Sequence, residues 1–237
     1  MKPKFKRILL KISGESLSGD SVASGVHIQA CDHIAKAIKS VHELGVELGV
    51  VIGGGNFFRG SQAKEFNLSR VSADYIGMLA TMMNGIFLSQ ALKNVGVDSI
   101  VMGARDFGGI VQPFHHAIAC ESLSKNQVVI FVGGTGNPYF TTDSAAALRA
   151  CEIEAQILLK ATKVNGIYDK DPIKFPDAKK YESLTYTQAL AEDLKVMDAT
   201  AVALCKDSRI PIFVFDLFEK NSFTKAVCHL EGGTIVS

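Results

Sequence analysis

Short apolar, β-branched runs alternate with helix-patterned segments along the whole chain, and three of those runs lead into glycine turns accompanied by hydroxyl or charged residues. The three are R-I-L-L-K-I-S-G (7–14), E-L-G-V-V-I-G-G-G (47–55) and V-V-I-F-V-G-G (128–134). Runs that are apolar throughout suit strands buried on both faces, and the helical patterns between them supply the covers. D-S-I-V-M-G (98–103), Q-I-L-L-K-A-T (156–162), P-I-F-V-F-D (211–216) and a terminal T-I-V-S continue the strand series. Ile34, Ile38, Val41 and Leu44 have helical spacing that stops at Gly45. Residues 70–94 form a long helical pattern, with Val71, Tyr75, Met78, Leu79, Met82 and Met83 placed toward one face. T-Y-T-Q-A-L-A-E-D-L (185–194) and the segment after Asp198 also read as helices. The alternation predicts an α/β fold, a three-layer sandwich with a mainly parallel central sheet. Ligands of such sheets sit beyond the carboxyl ends of the strands, where the glycine turns fall.

Composition narrows the function. A formal net charge of +1 over 237 residues gives no basic face, so nucleic acid is not an expected partner. Five dispersed cysteines with no C-x-x-C read as reduced core thiols. His115-His116 lack metal-ligand spacing, and no residue is assigned to a resident metal. The basic N-terminus is broken by Lys11 before it could act as a signal core, and no apolar run approaches the roughly 20 residues of a membrane span. The expectation is one cytoplasmic domain over 1–237.

The glycine turns carry the chemistry. Strand, glycine loop and helix start gather backbone N–H groups around an anion. None of the turns matches G-x-x-x-x-G-K-[ST], and Pro138 stands where a dinucleotide fingerprint needs its last glycine. Lys11, inside the first strand before Ser13-Gly14, either snorkels to solvent or aims at a phosphoryl group. Arg59 follows the second turn, where a planar guanidinium suits a phosphate. Thr142 and Asp143 either cap a helix beginning at Ser144 or meet a ligand. Lys160, Lys163, Tyr168 and Asp171 line an ordinary strand exit or a purine and ribose site. Asp74 is unremarkable on these grounds. The segment 169–180, with two prolines and many charges, is a surface loop or a lid.

Seven stretches together resemble the bacterial uridylate kinases of the amino-acid kinase superfamily. In order they are L-K-I-S-G-E (10–15), V-V-I-G-G-G-N-F-F-R-G (50–60), D-Y-I-G-M-L-A-T-M-M-N (74–84), G-T-G-N-P-Y-F-T-T-D (134–143), K-A-T-K-V-N-G-I-Y-D-K-D-P (160–172), L-T-Y-T-Q-A-L (184–190) and L-K-V-M-D-A-T-A (194–201). The resemblance runs from about Lys6 to the end, and the G-T-G-N-P-[FY]-F-T-T-D run is specific to the UMP-binding members. It implies an amino-acid kinase-like fold and transfer of a phosphoryl group from ATP to UMP, with magnesium bound alongside the ATP. It also implies an acceptor part over about 1–155, an ATP part over about 156–237, and a homohexamer using helix 70–94.

Residue by residue, the resemblance puts Lys11, Ile12, Ser13, Gly14, Gly55 and Arg59 at the ATP phosphates, and Thr162, Tyr168 and Asp171 at the adenosine. It puts UMP against Gly54, Asp74, Thr135, Gly136, Asn137, Pro138, Tyr139, Phe140, Thr141 and Thr142. Lys11, Arg59, Asp143 and Lys160 form the implied catalytic set, with Asp143 positioning a lysine. On this reading Asp143→Asn lowers turnover strongly with little unfolding. The segment 18–28 (S-G-D-S-V-A-S-G-V-H-I) departs from the family's aromatic-containing pattern, which removes the basis for expecting GTP activation. Two other readings remain at this point: a superfamily kinase acting on a small acid, and a non-catalytic anion-binding protein on the same fold.

Overall fold

The computed structural model describes residues 2–19, 25–192, 194 and 196–237. The chain opens with β1 (Arg7–Ile12), a 3-10 turn at Gly14–Leu17, α1 (Ile28–His42) and β2 (Glu47–Ile52). Then come α2 (Arg70–Asn94), β3 (Ser99–Gly103), the two-residue β4 (Gln112–Pro113), α3 (His116–Ser124) and β5 (Val128–Val132). The remainder is α4 (Thr142–Glu152), β6 (Leu158–Thr162), β7 (Ile167–Tyr168), β8 (Lys180–Tyr181), β9 (Ser183–Leu184), α5 (Tyr186–Ala191), α6 (Ala199–Ser208), β10 (Ile212–Asp216), α7 (Ser222–His229) and β11 (Gly233–Val236). Five of the GTP-segment residues, 20–24, lie outside the described residues.

One nine-stranded sheet runs through the molecule in the order β4-β3-β5-β2-β1-β6-β10-β11-β9. Its pairs are parallel except β10 with β11. The predicted three-layer sandwich is therefore the observed fold. Ile8, Leu10 and Ile12 of β1 point into the layer made by α1, α2 and α7, where Ile34, Leu88 and Phe223 meet them. Leu9 points to the opposite layer, among Ala146 and Ala150 of α4 and Val202 of α6. Small alanines let α4 lie close on the sheet. Strand periodicity then fixes where Lys11 goes: two residues beyond Leu9, it emerges on the α4 face.

Helix α2 corrects the expected methionine face. Met78 and Met82 are buried with Leu88 and Leu92, whereas Val71, Tyr75, Leu79, Met83, Ile86 and Phe87 stand outward, each more than a third exposed. The period of the apolar residues is too dense for one stripe, so the helix carries two apolar sides. At 25 residues it is long and apolar enough by length and composition to cross a membrane, as a core helix packed on a sheet also can be. Its buried polar residues, Thr81 and Asn84, bond the glycine loops instead. The 169–180 loop is fastened at its base by the β7–β8 pair and by Lys179 N–H donating to Asp169.

Candidate functional site

The parallel register of β1 with β6 sets Lys11 directly opposite Lys160. Two ammonium groups on one face of neighbouring strands repel, and such a pair needs a neutralising charge. Asp143, one residue inside the N-terminus of α4, supplies it. Its Oδ1 lies 2.8 Å from Lys11 Nζ and its Oδ2 3.2 Å from Lys160 Nζ. The Lys160 contact is a hydrogen bond, whereas the Lys11 contact is a charge pair out of hydrogen-bond alignment. All three side chains are largely buried. Burial alone would raise the Asp143 pKa, but the ammonium groups of Lys11 and Lys160 outweigh it and hold the carboxyl below its ordinary value. Burial pulls Lys160 downward, and Lys11 adds to that while Asp143 opposes it. Lys160 also donates to the carbonyl of Val196. The sequence reading offered Asp143 one lysine; the fold gives it two.

The cap of α4 is Thr141, whose hydroxyl accepts from the backbone of Asp143 and Ser144. The helix begins at Thr142, so the reading of Thr142 and Asp143 as caps of a helix starting at Ser144 is corrected. A cap one residue earlier leaves the Asp143 carboxylate available to the lysines.

Two glycine loops are fixed from below by α2. Asn84, fully buried, donates to the Gly53 carbonyl (2.7 Å) and exchanges hydrogen bonds with Asn56. Thr81 accepts from Gly133 N–H at 2.7 Å. A side chain at Gly54 would come within 2.7 Å of the Gly77 carbonyl, so only glycine allows α2 this close. Sequence reasoning missed Thr81 and Asn84. Their signal was two polar residues, three apart, inside an otherwise apolar helix face.

Above these loops lies a cavity of about 240 Å³. Seven of the residues that the resemblance puts against UMP line it, Gly54, Asp74, Thr135, Asn137, Phe140, Thr141 and Thr142, together with Gly55 and Arg70. Gly136, Pro138 and Tyr139 shape the loop without lining the cavity. Tyr139 holds φ +72°, unusual for a residue with a side chain, and its N–H donates to Asp74 Oδ2 at 2.7 Å. Arg70 chelates the same carboxylate through Nε and lies over the Tyr139 ring. Asp74 is therefore an organising group of this wall, to which only the resemblance pointed.

On the other side of β1, the residues implied for a second ligand are more open. Ser13 bonds Ser16, and Gly14 packs against Gly53 and Gly55. Ile12 is wholly buried, so it offers only its backbone. Arg59 is mostly exposed and pairs with Glu15 at 3.1 Å across the mouth between the loops. Thr162 donates to the carbonyl of Val164, closing the turn after β6. Tyr168, bonded to Asn165, lines a shallow hollow of about 460 Å³ with Asp216 and Phe218; Thr162 and Asp171 do not line it. Asp171 instead turns back onto the N–H of Ile173. The Lys–Asp–Lys cluster thus begins one residue beyond Thr142, which lines the cavity above the glycine loops, and the hollow at Tyr168 opens after β6, the strand that carries Lys160.

The pattern of the amino acid kinase family matches residues 6–216. A uridylate kinase of Protochlamydia amoebophila (strain UWE25) is 53% identical over 234 residues, covering 98% of this chain and 92% of its own. The crystal structure of a UMP kinase from Bacillus anthracis superposes with a TM-score of 0.93 at 35% identity, covering 98% of this chain and 96% of its own. That of a UMP kinase from Ureaplasma parvum gives 0.91 at 40% identity, covering all of both chains.

Proposed function

Since the chain belongs to the amino acid kinase family, we propose that it is a UMP kinase, moving the γ-phosphoryl group of ATP to UMP to give ADP and UDP in pyrimidine nucleotide synthesis in the cytoplasm. The observation that carries this reading is the Lys11–Asp143–Lys160 cluster next to a recess walled by Asp74 and the G-T-G-N-P-Y-F-T-T loop, with Thr142 lining the recess and Asp143 following it. UMP occupies that recess, with backbone amides and threonine hydroxyls around its phosphate and Asp74 toward its nucleoside. ATP takes the side of Ser13, Gly14, Arg59 and Tyr168. The acceptor part is about 1–155 and the donor part about 156–237.

Phosphoryl transfer asks for positioning and charge stabilisation more than covalent chemistry. The UMP phosphate oxygen is already anionic near neutral pH and attacks without a general base. Lys11 holds its charge toward the transferring group, and Asp143 holds Lys11 and Lys160 side by side against their mutual repulsion. Arg59, released from Glu15, is free to swing onto phosphate oxygens. Magnesium fits as an ion carried in by the nucleotide: both Asp143 oxygens face lysines, and no three His, Cys, Asp or Glu side chains gather among the described residues. When bound with ATP it would offset the charge of the phosphates.

The test is ADP release from Mg-ATP with UMP, CMP, dUMP, AMP, GMP, carbamate and acetylglutamate offered singly. Turnover with UMP far above the rest is expected. Turnover with an acid and none with UMP would overturn the acceptor assignment.

The assembly we propose is a hexamer in which the outward apolar face of α2 is one interface. Val71, Tyr75, Leu79, Met83, Ile86 and Phe87 share one exposed side of the helix, the kind of apolar face that marks a protein–protein contact. Leu79→Glu is expected to lower the mass seen by light scattering while the circular dichroism spectrum stays the same. An unchanged mass would remove α2 from the interface.

A further inference from the structure

Asp198 lies 55 residues beyond Asp143 in the chain, yet it meets the first turn of α4. Its carboxylate accepts the hydroxyl hydrogens of both Thr141 and Ser144, the latter at 3.0 Å to each oxygen. It also caps its own helix, accepting from Ala201 N–H at 2.8 Å. The Thr141 hydroxyl gives its hydrogen to Asp198 and accepts from Asp143 N–H at 3.0 Å. A carboxylate on one side thus orients the hydroxyl that caps the other helix. Two residues before Asp198, the Val196 carbonyl accepts from Lys160, whose ammonium also bonds the Asp143 carboxylate. The segment 196–198 therefore grips Asp143 twice: the Asp198 carboxylate holds the Asp143 backbone through Thr141, and the Val196 carbonyl holds the Asp143 side chain through Lys160. Beneath these polar links Ala145, Ala146 and Ala147 of α4 share a dry core with Ala201, Val202 and Cys205 of α6. Hydrogen bonds at the rim of such a seam are stronger than in water and directional.

We propose that Asp198 is a positioning residue for phosphoryl transfer: it latches the acceptor loop and the start of α4 to the donor part, fixing Asp143 over its two lysines and Thr141–Thr142 beside the acceptor. The proposal rests on the kinase reading above. Asp198 touches no substrate. Its work is to stop α4 from tilting when UMP enters between Thr142 and Gly54. A shift of about 1 Å at such a cluster costs on the order of 100-fold in rate.

The alternative is that Asp198 is only the cap of α6, and the variants separate the two. Asp198→Ser keeps a good cap, since serine is among the best N-cap residues, but its hydroxyl is too short to serve both α4 hydroxyls. Ser144→Ala cuts one link and leaves both caps intact. Asp198→Asn keeps the cap and part of the link. We expect Asp198→Ser to lower kcat about 10- to 100-fold and raise KM for UMP more than KM for ATP. Asp198→Asn should recover part of the loss. In Asp198→Ser combined with Ser144→Ala the losses should fall short of multiplying, because both break one link.

A second readout needs no turnover. Amide exchange at Asp143 and Ser144 should run about tenfold faster in Asp198→Ser, as befits a lost hydrogen bond in the cap. Unchanged exchange there, or kinetic constants within twofold of the parent, would reduce Asp198 to a cap of α6. Wild-type protein inactive on UMP would instead defeat the kinase reading, and the exchange experiment would still decide the latch.

Discussion

Asp143→Asn is expected to lower kcat by about 10²- to 10³-fold, the loss that follows removal of one preorganised charge contact at a reacting centre. The reason lies in the register. Lys11 and Lys160 are opposite one another on paired strands, and Asp143 is the carboxylate between them. An asparagine leaves two ammonium groups facing each other, so one must release its proton or swing away. Either outcome withdraws positive charge from the transferring phosphoryl group.

The same geometry adds a stability cost to what the sequence alone implied for this variant. Removing one partner of a buried pair costs about 3–5 kcal/mol where the remaining charge cannot relax. Here proton release from a lysine limits it, so the variant should fold with a lowered melting temperature. Asp143 has a depressed pKa. Its stabilising contribution is therefore present above the unfolded carboxyl pKa and lost as pH falls through the lower folded value. The catalytic profile should show a second mark on the alkaline side. Burial already lowers the Lys160 pKa, against the opposing pull of Asp143. The alkaline limb of kcat should begin below the ordinary lysine range, and lower still in Asp143→Asn. Steady-state rates across pH would check both statements. A kcat within threefold of the parent would take Asp143 out of the catalytic centre.

The sequence made the glycine turns legible because strand, glycine and helix start are local signals. Three such turns do end at one sheet edge. The lysine pair was less legible. Lys11 and Lys160 are 149 residues apart in the chain, and their adjacency depends on β1 pairing with β6. Period-2 alternation would have put each lysine on the face of Leu9 and Leu158, but only the pairing brings the two together. Arg70 and Asp198 were illegible for the same reason. An exposed i,i+4 pair such as Arg70–Asp74 looks like ordinary helix decoration until Tyr139 arrives from 65 residues away to share it. The methionines of α2 misled because amphipathic patterning assumes one buried side, whereas this helix has a sheet on one side and an unpartnered apolar stripe on the other.

Gly14→Ala is expected to damage donor binding out of proportion to the single methyl it adds. Gly14 has an ordinary φ, so conformational freedom is not the issue; space is. A Cβ there would stand 2.6 Å from Asn56 Oδ1, 2.7 Å from the Gly53 carbonyl oxygen and 2.7 Å from Gly55 N. Two of those three atoms are backbone and cannot rotate aside. The third is held by Asn84, which also holds Gly53. Relief therefore requires the β1 loop and the β2 loop to part as units. Overpacking of this kind costs about 1–3 kcal/mol, and the fold should survive it. The loops it separates are those assigned to the ATP phosphates, where displacement of about 1 Å costs on the order of 100-fold. KM for ATP should rise and kcat fall together, with a smaller change in UMP affinity, because Gly54 and Gly55 move but the rest of the acceptor wall, Asp74 and residues 135–142, is built on α2 and α4. Calorimetric titration with each nucleotide, alongside a melting curve, separates loop displacement from unfolding. Equal losses for both nucleotides with a collapsed melting transition would mean the glycine serves folding alone. Unchanged ATP binding would mean the phosphates do not lie between these loops.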